Sequence, residues 1–313
     1  MNSSKDWLLS VIAPVYNEEE GIRQFYQKLS GVLRRAEISA EIIFVNDGSR
    51  DKSGEILKDI QKSDGAVKLL EFSRNFGHQI AVKAGIDYAQ GDAVVIIDTD
   101  LQDPPEMILP MIEKWKDGFD VIYAIRAKRE GETFFKKITA AAYYRLMKKI
   151  ARIDIPLDAG DFRLISRSVA DALRQIRERN PYIRGLVSWV GFKQTGIEIE
   201  RQARFAGHTK YTLGKMLKFA WNGITHFSFL PLQLSTWFGF FAALLAVIWM
   251  LSAMYVSLVL HVAVQGWTSL IIAVLFLGSV QLITLGIMGS YLARNYDEAR
   301  SRPLYIIKSK EGF

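Results

Sequence analysis

Short apolar runs alternate with amphipathic stretches from Leu8 to Ala124. Leu8–Pro14 (LLSVIAP) is too short and too β-branched for a helix and reads as a strand. Asn17–Leu33 follows, with Glu18, Glu19 and Glu20 in its first turn and Ile22, Phe25, Leu29 and Val32 near helical spacing. This predicts a helix whose N-terminus is complemented by acidic charge. The same reading places strands at Glu41–Val45, Val67–Phe72, Ala93–Ile97 and Asp120–Ala124. Helices fall between them at Ser53–Lys62, Gln79–Ala89 and Pro105–Lys116. Apolar strands buried on both faces predict an α/β fold, a mostly parallel sheet with helices on both sides.

The pattern changes after Lys218. The 75 residues from Phe219 to Ala293 contain no Asp, Glu, Lys or Arg. Soluble cores rarely hold so long a charge-free stretch, and a membrane span needs about 20 apolar residues. A two-helix transmembrane hairpin is therefore expected, with spans at 234–260 and 267–293 and a turn at His261, Gln265 and Gly266. Trp237, Trp249 and Trp267 are candidate interface aromatics. Gly278, Gly286 and Gly289, with Ser279 and Ser290, give the second helix a small-residue side suited to helix packing and to a membrane-embedded homo-oligomer, a tetramer included. The resulting division is a globular domain over 1–210, an amphipathic interfacial segment over 211–233, the hairpin over 234–293 and a tail over 294–313. The turn lacks Lys and Arg, whereas Lys210, Lys215 and Lys218 precede the first span and Arg294, Arg300 and Arg302 follow the second. Positive-inside logic puts the globular domain and both termini in the cytoplasm, in a multi-pass protein of the inner or plasma membrane. Residues 1–10 carry no secretory signal.

Composition sharpens this picture only when divided by location. The net charge of +7 is weighted to residues 213–313, which carry seven Lys/Arg against three Asp/Glu. That excess suits anionic headgroups. The lack of cysteine excludes disulfides, thiolate nucleophiles and cysteine-based metal sites.

Polar clusters follow the strands: Val15-Tyr16-Asn17-Glu18, Asn46-Asp47-Gly48-Ser49 and Asp98-Thr99-Asp100-Leu101-Gln102-Asp103. In parallel sheets ligands bind at such carboxyl ends. Neither a P-loop nor a GxGxxG after the first strand is present. Asp98 and Asp100, two apart at a strand end, share a face, with Gln102 next in phase if the extension continues. Two carboxylates and an amide oxygen suit Mg²⁺ or Mn²⁺, and such an ion suits a diphosphate. His78 reads as a structural turn residue, and Asp161 as either a second functional carboxylate or a local turn acceptor.

The runs VIAPVYNEEEGI, VNDGSRDKS, SRNFGHQIAVKAGIDYAQGD and DTDLQDPPE resemble the family-2 glycosyltransferases of the nucleotide-diphospho-sugar transferase (GT-A) fold, and within them the polyisoprenyl-phosphate glycosyltransferases. The likeness extends through Asp158-Ala159-Gly160-Asp161-Phe162-Arg163-Leu164, Arg204–Tyr211 and the hairpin. It departs at Thr99, where Ala is common, and at His208-Thr209, where Glu-Ser is frequent. The resemblance implies inverting transfer of one sugar, from UDP-glucose or another UDP-hexose, to a polyisoprenyl phosphate such as undecaprenyl phosphate. By carry-over, Pro14, Tyr16, Glu18, Asp47 and Asp98 bind the donor nucleotide, and Asp98, Asp100 and Gln102 hold Mg²⁺ or Mn²⁺. Asp158, Asp100, Arg126 and Arg204 take part in catalysis, while Lys137, Asp161, Arg163 and Lys210 serve the acceptor phosphate or diphosphate. A flippase and a downstream glycosyltransferase would use the product for surface glycan modification, and no nucleic acid is involved. A catalytically silent sugar-nucleotide sensor or scaffold is the alternative, and the intact acidic and basic positions argue against it.

Overall fold

In a computed structural model, the described residues are 7–126, 159–179, 181–199, 230–258 and 266–313. They form β1 (Leu9–Val15), α1 (Ile22–Arg35), β2 (Ala40–Asn46), α2 (Ser53–Ser63), β3 (Val67–Phe72), α3 (His78–Tyr88), β4 (Ala93–Ile96) and α4 (Ile108–Lys116). There follow β5 (Val121–Arg126), β6 (Ala159–Ser166), α5 (Arg167–Gln175), α6 (Ile183–Trp189), β7 (Gln194–Ile199), α7 (Leu230–Leu258), α8 (Trp267–Ala299) and β8 (Ile307–Glu311). The described residues fall into two compact units, one holding the sheet with Arg302–Phe313, the other holding α7 and α8 through Ser301.

The strand order is β7-β5-β6-β4-β1-β2-β3-β8. β4, β1, β2 and β3 run parallel, whereas β6 and β8 pair antiparallel with β4 and β3. The strand period of two sorts side chains to opposite faces. Val11 and Ala13 of β1 pack with Phe25 and Leu29 of α1, Leu57 of α2 and Met111 of α4. Ile12, between them, packs with Ala81 of α3, Val169 of α5 and Leu186 of α6. Helices thus cover both faces, as the apolar runs predict. Gly85 lets α3 lie against β1, because a Cβ there would collide with Ile12.

One boundary differs from the sequence reading. α1 starts at Ile22 and has no acidic residue in its first turn. Glu18–Glu20 belong instead to the loop after β1, where Asn17 turns the chain at φ 55°. There the Glu18 amide donates to Ser53 Oγ at 2.9 Å and the Glu19 carboxylate accepts from the Lys52 amide at 3.0 Å. Loop-to-loop hydrogen bonding outweighs the weaker attraction of a helix dipole.

In the second unit, α7 and α8 are long and apolar enough to cross a membrane, over Leu232–Trp249 and Phe276–Ala299. Only 11% and 0% of these windows are buried, so neither is the core helix of a soluble domain. Ser235 Oγ donates to Thr284 Oγ1 at 2.8 Å, a polar link between two apolar helices. The interfacial segment expected over 211–233 lies outside the described residues up to 229, and so does the inter-helix turn at 259–265.

Residues after α8 do not form a separate tail. β8 adds to the edge of the sheet, and Glu71 of β3 anchors it by accepting from Lys308 Nζ at 2.8 Å and Ser309 Oγ at 3.1 Å. Lys58 lies 3.2 Å from the same carboxylate. Burial alone would raise the Glu71 pKa, but these donors outweigh it and hold it below its ordinary value. A depressed carboxyl stabilises the fold above its unfolded pKa and loses that contribution as pH falls through the folded one. Amides of Ile307–Glu311 should therefore exchange faster as pH is lowered below about 4, after correction for intrinsic rates. Glu71→Gln should show that faster exchange already at pH 7.

Candidate active site

The four parallel strands β1 to β4 end in loops around one cavity of about 410 Å³. It opens where the chain changes direction in the sheet, since β1 has β2 on one side and β4 on the other. Pro14 lines it from the end of β1, Tyr16 and Glu18 from the loop that follows, Asp47 from that after β2, and Asp98, Thr99 and Asp100 from that after β4. All five residues expected at the nucleotide thus share one pocket. Tyr16 is 44% exposed at its rim, an aromatic face accessible to a base.

The loops hold one another through their polar groups. The Asn17 amide donates to Ser49 Oγ at 3.0 Å, and Asn17 Oδ1 accepts from the Arg50 amide at 2.9 Å. Asp47 is buried, and its two oxygens accept from the amides of Phe76 at 2.6 Å and Gly77 at 2.9 Å. Burial pushes its pKa up against these bonds. Asp47 therefore fixes the loop after β3, besides facing the cavity. Gly48 makes this possible. Its φ is +66°, and a Cβ would strike the backbone of Arg74. Gly48→Ala is expected to push the 47–49 and 73–76 loops apart and weaken nucleotide binding about tenfold or more. Calorimetric titration of the variant, with circular dichroism as the check on folding, reads this effect.

The loop after β4 departs from the extended geometry read from the sequence. β4 ends at Ile96, and Leu101 takes φ 60°. The Gln102 amide folds back to donate to Asp100 Oδ1 at 3.1 Å, so strand phase does not bring Gln102 beside the two carboxylates, and it does not line the cavity. The Thr99 hydroxyl donates to the Pro14 carbonyl at 3.2 Å and ties this loop to β1.

The structure instead joins Asp98 to His78 and Asp161. His78 Nε2 lies 3.5 Å from Asp98 Oδ1 and 3.6 Å from Asp161 Oδ2. Asp161, on β6, forms a two-pronged pair with Arg184 of α6 at 2.7 Å for each contact. Burial would raise the Asp161 pKa, but Arg184, His78 and Arg163 hold it well below the usual carboxylate range. Burial would lower that of His78, and the carboxylates of Asp161 and Asp98 reverse this. Asp98 goes the other way: burial first, then Asp161, Asp100 and Asp103, outweigh the pull of His78 and push it up to about 6.

A divalent cation fits this site. Asp98 Oδ1 is shielded from solvent and has no hydrogen-bond partner, a costly state for a carboxylate. Ligand atoms of His78, Asp98 and Asp161 lie within 4.8 Å of one another, and Asp100 flanks the same cavity. Carboxylate oxygens suit Mg²⁺ or Mn²⁺.

Arg163 does not have the place expected for a phosphate contact. It is 3% exposed, and its guanidinium donates to the carbonyls of Gly160 at 2.8 Å and Asp161 at 3.4 Å. It braces the strand that carries Asp161. Arg126 is the last residue of β5. Lys137, Asp158, Arg204 and Lys210 lie outside the described residues. His78 and Arg184 were missed as site residues. His78 had a signal, its place at the carboxyl end of β3 in the same parallel run. Arg184 had none, because the sheet alone brings it to Asp161 from 23 positions away.

Comparison with known proteins bears on the whole chain. The family model described as "Glycosyl transferase family 2" matches residues 10–174, a span that runs from within β1 to within α5 and contains every described residue of the cavity. The chain belongs to this family of glycosyltransferases, and its sheet is of the GT-A type. It is 52% identical over 303 residues to the uncharacterized glycosyltransferase YkcC of Bacillus subtilis (strain 168), covering 97% of this chain and 94% of that one. It is 41% identical over 303 residues to the bactoprenol glucosyl transferase of Shigella phage SfV, covering 97% and 99%. It is also 41% identical over 300 residues to the prophage bactoprenol glucosyl transferase homolog of Escherichia coli (strain K12), covering 96% and 98%.

Proposed function

We propose that this protein transfers a single sugar from a nucleotide-diphosphate sugar to the phosphate of a membrane polyisoprenol, with undecaprenyl phosphate as acceptor and a UDP-hexose such as UDP-glucose as donor. The observation that carries this reading is the 41% identity to a bactoprenol glucosyl transferase over 97% of the chain, which spans the cavity and the apolar helices alike.

The donor nucleotide occupies the cavity, with Tyr16 beside the base, and Pro14, Glu18 and Asp47 forming the walls. Asp98 and Asp100 would hold Mg²⁺ or Mn²⁺, with Gln102 or the His78–Asp161 pair completing the ligand set. When bound, that ion stabilises the negative charge that develops on the departing nucleoside diphosphate. A phosphate monoester has a second pKa of about 6 and attacks as a dianion, so a strong general base is not required. Asp158 then orients the acceptor or its basic neighbours. Arg126, Lys137, Arg204 and Lys210 are the cations that meet the lipid phosphate, and inversion follows from a single in-line attack. Asp161, neutralised by Arg184, shapes the floor of the site.

Its place is the inner or plasma membrane, held by α7 and α8 as a hairpin. The 1–210 domain and the 294–313 segment lie on one side, the cytoplasm. Two spans return the chain to its starting side, and the basic residues that flank both spans support that reading. The product then requires a flippase and a downstream transferase, and the small-residue face of α8 suits a homo-oligomer.

The test is direct. Purified protein with Mg²⁺ or Mn²⁺, undecaprenyl phosphate and a panel of UDP- and GDP-sugars should yield a glycosylated lipid monophosphate. Failure with every donor, by a protein that still binds nucleotide, would favour a sensor.

A further inference from the structure

The contacts made by Tyr305 and Ile306 converge on one wall of the cavity. The Tyr305 ring stacks on Phe72, with 5.2 Å between centroids and 14° between planes. Phe72 meets Phe76 edge-on at 5.6 Å, and the Arg74 guanidinium lies 3.9 Å from the Phe76 ring centroid. The Ile306 carbonyl accepts from the Ser73 amide at 3.0 Å. The Tyr305 hydroxyl donates to Asp87 Oδ2 at 2.9 Å. Tyr305 thus grips the end of β3 before the 73–77 turn and, through Asp87, the helix after it.

That turn begins at the surface. Ser73, Arg74 and Asn75 are exposed, and Gly77 sits at φ +107°. Yet Asn75, Gly77 and His78 line the cavity, and the amides of Phe76 and Gly77 complete the bonds of Asp47. A small aromatic cluster packed to interior density has few alternative arrangements, so it fixes what is attached to it.

We infer that Tyr305 is a positioning residue for the nucleotide cavity. By stacking on Phe72 and holding α3 through Asp87, it sets the wall formed by Asn75, Gly77 and His78. Donor binding therefore depends on a residue that the chain supplies only after α8, although it lies beyond residue 174, where the family match ends. This rests on reading the cavity as the donor site.

The experiment compares full-length wild type, Tyr305→Phe and Tyr305→Ala in detergent. Tyr305→Ala should raise the donor KM about tenfold, with kcat and the KM for undecaprenyl phosphate little changed. Tyr305→Phe should fall between wild type and Tyr305→Ala, because the stacked ring remains while the bond to Asp87 is lost. Amide exchange at Phe76 and Gly77 should accelerate in Tyr305→Ala, while β1 and β4 remain protected. A wild-type donor KM in Tyr305→Ala, or parallel losses for donor and acceptor, overturns the inference. If Tyr305→Ala does not fold, Tyr305→Leu keeps the apolar bulk without the stack and carries the same prediction. Failure of the wild type to bind UDP or GDP with Mn²⁺ would overturn the donor-site reading instead. The exchange comparison would then still decide whether Tyr305 orders the turn.

Discussion

Asp98→Asn is expected to lower sugar transfer by about a hundredfold to a thousandfold and to make the metal-free protein more stable. Both effects come from one oxygen. Asp98 Oδ1 is buried without a hydrogen bond, and burial with three neighbouring carboxylates raises its pKa to about 6. A carboxyl whose folded pKa lies above its unfolded value costs stability once pH exceeds the unfolded value, and the cost is complete above the folded one. At neutral pH that cost is about 3 kcal/mol at most. Asn removes the charge and with it the cost, but also the oxygen best placed for a cation. Thermal unfolding should show a higher midpoint for the variant without metal. Added Mn²⁺ should raise the midpoint of the wild type and leave that of the variant nearly unchanged. Wild-type turnover in the variant would remove Asp98 from the cation site.

Arg184→Met should be among the most destabilising single changes in the first unit, at about 3–5 kcal/mol. It leaves Asp161 largely buried, with His78 and Arg163 near it but without its two-pronged partner. The second change, Asp161→Asn, should restore most of the loss, since a neutral amide there no longer needs the guanidinium. Chemical denaturation followed by tryptophan fluorescence measures both. A loss below about 1 kcal/mol for the single variant would place the pair with exposed ion pairs of small effect.

Much of the cavity was legible because parallel strands impose it. Apolar runs located β1, β2 and β4, and the polar residues that follow them had to gather at one edge of the sheet. Tyr16, Glu18, Asp47, Asp98 and Asp100 stand in those clusters, Pro14 came only with the family resemblance, and all six line the cavity. Where the geometry departs from the one expected, the causes are local. Gln102 was placed by continuing an extended strand through Leu101, whose left-handed backbone ends that phase. Glu18–Glu20 were given to a helix that starts later, because hydrogen bonds to the 49–53 segment compete for that loop. Arg163 looked like a phosphate ligand by charge, yet its guanidinium is buried and donates to the carbonyls of Gly160 and Asp161.

By itself the sequence determined what depends on period and on runs: the alternation of strands and helices, the acidic strand ends and the charge-free hairpin. Those signals are local, and a window of ten or twenty residues contains them. Only the tertiary structure decided the pairings between distant segments. It set His78 and Arg184 around Asp98 and Asp161, and it returned Tyr305 and β8 to the edge of β3. Such contacts arise from sheet order and close packing, which bring together residues that no spacing in the chain connects.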